Sequence, residues 1–172
     1  MATPDFILRL RKHVGHEKLF LTGVTGVVIG DGTVGDEGAV LLHRRADGGA
    51  WSPPGGILEP GEQPAEALVR EVEEETGIVA VPERVASVVT GDPFTYDNGD
   101  VVQFVDIAFR CRPVGGRIRV DGDESLEVAW FPMDGLPPMA DRVLARIHHA
   151  HEDGGAWFVP AGPGDGTPIT RG

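Results

Sequence analysis

"PPGGILEPGEQPAEALVREVEEETGI", residues 53–78, decides how this chain is read. Gly55 and Gly56 are consecutive glycines, which let a backbone approach a neighbour that a side chain would block. From Pro64 to Thr76 the pattern turns helical. Proline suits the first turn, and Gly77 stands where a left-handed C-cap belongs. Ala65, Leu68, Val69 and Val72 are expected to share one apolar face. Glu71, Glu73, Glu74 and Glu75 then crowd four acids into five positions.

That crowding is unfavourable in itself. Like charges three or four apart on a helix oppose each other by roughly 0.2–0.5 kcal/mol per pair. The last turns of a helix, at the negative end of its dipole, disfavour anions further. Each helical residue turns about 100°, so Glu71 and Glu75 lie about 40° apart with Glu74 close beside them. The three line a face bordering the apolar one, while Glu73 points away. A solvated acidic face is one account of such a run. A hard divalent cation is the other: magnesium takes oxygen ligands and typically bridges carboxylates to substrate phosphates. With such an ion in place, repulsion becomes attraction.

Outward from this stretch the order is mixed. "TPDFILRLRKHV" (3–14) predicts a short helix capped by Thr3, with Pro4 first and Phe6, Leu10 and Val14 on one face. "LFLTGVTGVVI" (19–29) and "AVLLHRR" (39–45) read as two strands of a hairpin, and "ADGGAWSPPGG" (46–56) as a breaker loop. "RVASVVTG" (84–91), "VVQFVDIAFRCR" (101–112) and "LEVAWF" (126–131) are further strands, and "MADRVLARIHHAHE" (139–152) is an amphipathic helix. Helices between strands that do not alternate regularly predict an α/β or α+β sandwich rather than a doubly wound sheet. "GDGTVG" (30–35) matches a dinucleotide fingerprint but leads into a strand, where that fingerprint needs a helix. It is read as a plain loop.

The formal charge of −12 on 172 residues argues against a broad contact with a nucleic-acid polymer or an anionic membrane. No run of about 18 apolar residues predicts a membrane span. A single cysteine, Cys111, allows no internal disulfide and fits a reducing cytoplasm. An acidic protein that handles an anionic small molecule needs local cations, from metal or from arginine. Arg44 and Arg45 end the second strand, and alternation sends them to opposite faces, so one at most reaches a given site. Trp51 is expected to pack. His148, His149 and His151 read as a solvated helix end.

Counting from Gly56, five residues precede Glu62, seven more precede Arg70, and "REVEEETGI" follows. This resembles the Nudix hydrolases, whose signature is G-x5-E-x7-R-E-U-x-E-E-x-G-U, with U a bulky aliphatic. Every fixed position from Gly56 to Ile78 matches. The resemblance implies an α/β/α sandwich with a mixed β-sheet, spanning residues 19–153 between an N-terminal helical extension (1–18) and a Gly/Pro-rich tail (154–172). It implies cleavage of a pyrophosphate bond in a nucleoside diphosphate linked to another group, with Mg2+ or Mn2+ required. By the same likeness Glu71, Glu74 and Glu75, with the Gly55 carbonyl, would be metal ligands. Arg70 would orient the box carboxylates, and Glu74→Gln would lower turnover strongly while the fold survives. An additional acid is expected before the 126–131 strand: Glu124, with Asp123 and Glu127 as competitors.

Gly55, Gly56, Arg44 and Arg45 are the expected substrate contacts. Family members are often dimeric, so a homodimer is an open possibility that no residue here fixes. Pro93 and Tyr96 stand fifteen and eighteen residues beyond Ile78, family hints for ADP-ribose and for diadenosine polyphosphates respectively; together they do not choose. ADP-ribose and nucleoside triphosphates both remain as substrates. The alternative is a non-catalytic nucleotide-sensing module; such modules often lose box carboxylates, and this chain keeps all of them.

Overall fold

A computed structural model describes residues 3–120, 122 and 124–160. The elements run α1 (Asp5–Val14), β1 (Leu19–Val28), β2 (Val40–Arg45), β3 (Trp51–Ser52), β4 (Gly55–Ile57), α2 (Pro64–Thr76) and β5 (Ile78–Thr90). Then follow β6 (Phe94–Thr95), β7 (Val101–Gly116), β8 (Ser125–Phe131), a 3-10 turn at Met133–Gly135, α3 (Asp141–His151) and β9 (Trp157–Phe158). The larger sheet has the order β4-β1-β7-β5-β9, with β6 also on β7, and the smaller one β3-β2-β8. β1 runs parallel to β7, whereas β5 and β4 run antiparallel to their neighbours. The sheet is therefore mixed, as expected.

Alternation along β1 and β2 sorts the core into layers. Val24, Val28 and Leu41 pack with Leu68 and Val72 of α2. Val27, Val40 and Leu42 point the other way, onto Ile147 and Ala150 of α3. This is the α/β/α sandwich. A third cluster joins Ile7 of α1 to Leu21, Ile57 and Val102.

Several expectations are corrected. β1 and β2 are not a hairpin: they meet only in an isolated Ile29–Val40 bridge and diverge into different sheets. The longer ladder with β7 claims β1 instead. The breaker loop holds two short strands, and β4 lies antiparallel on β1, with Gly55 opposite Thr25. β5 is longer than expected, starting directly after Gly77 and carrying Pro82 past register shifts in its ladder with β7. α1 starts one residue later, with Pro4 rather than Thr3 as its N-cap, and it buries Ile7 while Leu10 and Val14 stay exposed. In α2 the buried face is Ala67, Leu68, Glu71, Val72, Glu75 and Thr76, and Ala65 is exposed. The burial stripe is rotated toward the acids because β4 and β8 also cover that side of the helix. The 30–38 loop leads into β2 and carries no helix, as its context predicted.

Both ends of α2 behave as read. Pro64 opens it, and the Gln63 N–H donates to Glu66 Oε2 at 3.1 Å. Gly77 closes it at φ 75°, where an added Cβ would meet the Arg117 carbonyl oxygen at 2.4 Å.

Candidate metal centre and nucleotide cleft

Two of the four crowded acids are taken out of water by the fold. Glu75 is 1% exposed and Glu71 6%. Glu124, directly before β8, brings a third carboxylate across from the smaller sheet. One ligand atom from each of Glu71, Glu75 and Glu124 lies within 4.8 Å of the others. Burial raises the pKa of Glu71 against the opposing pull of Arg70. Burial likewise pushes Glu75 up to about 8, although a hydrogen bond from the Gly55 N–H at 2.8 Å works against it. Glu74 is outside this trio. Its carboxylate is largely exposed and sits 3.2 Å from Arg70 Nη1.

Arg70 organises the box. Its fork grips Glu62 through Nε and Nη2 at 2.9 and 3.2 Å, and Nη1 donates to Glu71 Oε1 at 2.9 Å. The bidentate contact holds the Glu62 carboxyl below its ordinary range. One arginine thus ties three glutamates of the 62–74 segment and offsets part of their mutual repulsion.

The glycines explain how strand and helix come so close. A Cβ on Gly56 would meet Glu71 Oε1 at 2.2 Å, and one on Gly55 would meet the Val24 carbonyl oxygen at 2.2 Å. A side chain at Gly55 would push β4 off β1, and one at Gly56 would displace the Glu71 carboxylate.

Two cavities flank this centre. A cleft of about 500 Å³ is lined by Glu62, Arg70, Glu71, Glu74 and Glu124, with Thr3, Pro4 and Asp5 at one side. Beside it lies a hollow of about 470 Å³, lined by Arg45, Ile7, Arg11, Phe94, Tyr96 and Phe104. Ile57 lines both. Phe94 contacts Tyr96 edge-on at 4.8 Å and lies near-parallel to Phe104 at 6.1 Å. An adjoining pocket of about 340 Å³ adds Gly55, Gly56, Trp51, Asp106 and Arg146. Asp106 is buried, accepts from Thr25 Oγ1 at 2.7 Å, and has Arg146 Nε at 2.7 Å from its Oδ2. Desolvation raises its pKa, opposed by that arginine.

The NUDIX domain family matches this chain over residues 22–151. The chain belongs to the Nudix family. Among its curated relatives, a MutT-like protein of Streptomyces ambofaciens is 35% identical over 153 residues, 84% of this chain and 90% of that protein. The 8-oxo-dGDP phosphatase of Homo sapiens is 38% identical over 139 residues, covering 78% of this chain but only 37% of that longer protein. Among solved structures, an ADP-ribose pyrophosphatase from Streptococcus suis superposes with a TM-score of 0.61 at 20% identity, over 81% of this chain and 98% of that one. That last likeness is one of fold.

The residues of this Nudix box fit a divalent cation. Three oxygen donors converge, two of them buried, and a glycine stands where a Cβ would strike one of them. Hard oxygen donors of this kind suit magnesium or manganese. The two second-strand arginines part as alternation requires. Arg44 pairs outward with Glu127 at 3.4 Å, and Arg45 pairs with Asp47 and lines the aromatic hollow. Glu127 is therefore placed away from the trio, and Asp123 lies outside the described residues. Trp51 packs edge-to-face on Phe131 at 4.8 Å, as expected of it, and also lines the smaller pocket. Of the helix-end histidines, His149 stacks on Trp157 with ring centroids 4.6 Å apart. Among the described residues, no helix is long and apolar enough to cross a membrane.

Sequence reasoning missed Phe94, Phe104, Asp106, Arg146, His43 and Arg11. Asp106 had a signal: it is the one acid inside the apolar run "VVQFVDIAF". The others carried none, because they meet only across the tertiary fold.

Proposed function

We propose that this Nudix protein is a divalent-metal-dependent pyrophosphohydrolase acting on a nucleoside diphosphate linked to another group. The observation that carries this reading is the converging trio Glu71, Glu75 and Glu124, with Glu71 and Glu124 lining a cleft that shares Thr3 and Ile57 with an aromatic hollow. A diphosphate needs cations and a nucleobase needs flat apolar surface, and the two lie side by side here.

Glu71, Glu75 and Glu124 would hold the cation, with Glu74 and the Gly55 carbonyl as further donors on the family pattern. When bound, the ion screens the phosphate charge and makes a coordinated water more acidic. Arg70 keeps the box carboxylates in one arrangement. Arg45 and Arg11, in a protein of net charge −12, are local cations that line the hollow. Phe94, Tyr96 and Phe104 offer ring faces to a base. Water oxygen bonds to one phosphorus as the bridging P–O bond breaks, giving a nucleoside monophosphate and the phosphorylated remainder. One of the clustered carboxylates takes up the proton released by that water.

The activities for which the relatives are named guide the choice of substrates. A panel of ADP-ribose, 8-oxo-dGDP and nucleoside triphosphates, with Mg2+ or Mn2+ and product identification, tests the reading. A nucleoside monophosphate released from at least one of them is expected. Tight binding without turnover across the panel would instead make the chain a nucleotide-sensing module.

A further inference from the structure

His43 is 1% exposed in a strand otherwise built of valine, leucine and arginine. Strand alternation places it on the same side of β2 as Leu41. Leu41 packs on Leu68 and Val72, and one helical turn further along α2 that side of the strand meets Glu75. His43 Nε2 is 3.6 Å from Glu75 Oε2, the oxygen that also accepts the Gly55 N–H. His43 Nδ1 is 2.8 Å from Ser125 Oγ, and Ser125 is fully buried. Ser125 follows Glu124, the third acid of the trio, directly in the chain.

A buried line of polar atoms thus runs from β8 through β2 to α2, linking the two elements that supply the acids. A Glu75 carboxylate that holds a cation only accepts, so the imidazole nitrogen facing it serves it as a donor, Nε2–H. Nδ1 then accepts from the Ser125 hydroxyl, which locks the ring in that tautomer.

We propose that His43, locked by Ser125, is a positioning residue that holds the Glu75 carboxylate in register with Glu124 for divalent-cation binding. This rests on the metal-dependent reading of the same site. Partners behind metal ligands typically change metal affinity by about 10- to 100-fold when removed. His43→Leu keeps much of the volume and removes the polar link. His43→Gln restores an N–H donor near the Nε2 position, and Ser125→Ala keeps the ring but frees its tautomer.

The test is titration of the full chain with Mn2+ alone, without nucleotide, followed by calorimetry and by the spin signal of free Mn2+. Thermal melts in chelator report folding separately. His43→Leu is expected to weaken Mn2+ binding about tenfold or more, His43→Gln to stay within about threefold of the parent, and Ser125→Ala to fall between them. His43→Leu binding Mn2+ as tightly as the parent overturns the proposal, and so does His43→Gln binding as weakly as His43→Leu. Should His43→Leu lose its cooperative melt, the other two decide: parent-like affinity in Ser125→Ala with weak binding in His43→Gln overturns it. Parent protein that binds no Mn2+ at millimolar concentration removes the metal reading itself. Parent binding with insensitive variants removes only this inference.

Discussion

The acid centre and the aromatic hollow meet at Ile57 of one three-residue strand, yet they are built in opposite ways. The acid centre draws Glu62, Arg70, Glu71 and Glu75 from a single loop–helix segment and adds one acid, Glu124, from elsewhere. The hollow draws Ile7 and Arg11 from α1, Arg45 from β2, Ile57 from β4, and Phe94, Tyr96 and Phe104 from the β6–β7 region. Its rim is held from a distance. Arg11 Nε lies 3.3 Å from Asp100 Oδ1, His16 Nδ1 lies 2.8 Å from the same oxygen, and Arg11 Nη2 donates to the Val101 carbonyl at 2.9 Å. A site encoded in one segment keeps its chemistry when loops vary. A site assembled from many segments changes with any of them, which is where substrate choice is expected to reside.

The sharpest way to break this contrast is to remove acid charges. Glu71→Gln and Glu75→Gln are expected to lower kcat about 10²- to 10³-fold with a cooperative melt retained, since preorganised charge at a reacting centre carries effects of that size. Glu74→Gln is expected to lower it strongly too. Full activity in Glu74→Gln alongside inactive Glu71→Gln and Glu75→Gln would confine the chemistry to the buried trio.

A second effect, on the order of a few kcal/mol, concerns stability. Burial raises Glu75 from 4.5 in the unfolded chain to about 8 in the fold. The folded state therefore prefers the protonated form. Its contribution is fully present below pH 4.5 and is lost as pH rises through about 8. Metal-free protein should melt at falling temperature across that window, and Mg2+ should stabilise it more at pH 8 than at pH 5. Melting curves of Glu75→Gln should show a flatter dependence; an unchanged slope would assign it to other groups.

Smaller changes belong to the hollow. Tyr96→Ala or Phe94→Ala is expected to raise KM for a nucleotide substrate about tenfold with kcat little changed, matching roughly 1–3 kcal/mol per stacked base. Equal losses in kcat and kcat/KM would place these rings at the chemistry instead. Arg11→Ala is the mildest: about 1 kcal/mol of stability and a few-fold rise in KM, through a loosened 94–100 turn. Mn2+ affinity measured in the same variant should not move; if it does, the two regions are coupled through α1.

The box was legible because a helix fixes its own geometry. Once Pro64 and Gly77 bracket the pattern, the angles between Glu71, Glu74 and Glu75 follow from the turn per residue. What the pattern did not reveal was which side would be buried. Ala65 was expected on the apolar stripe and Glu71 at its border, and only the arrival of β4 and β8 against α2 buried the glutamate and left the alanine exposed. The β1–β2 hairpin failed for a similar reason, since adjacency in sequence gave no sign that β7 would pair along the length of β1.

By itself, the sequence determined the helix, its ends and the crowding of its acids, and the family likeness added the Arg70 pairing; all of these depend on interactions within about twenty residues. Only the tertiary structure decided that Glu124 completes the trio, that His43 meets Glu75, and that an N-terminal helix walls an aromatic hollow. Those contacts join residues up to some ninety positions apart, such as Arg11 and Val101. Local periodicity carries no information at that range, because it is the packing of whole sheets and helices that brings such side chains together.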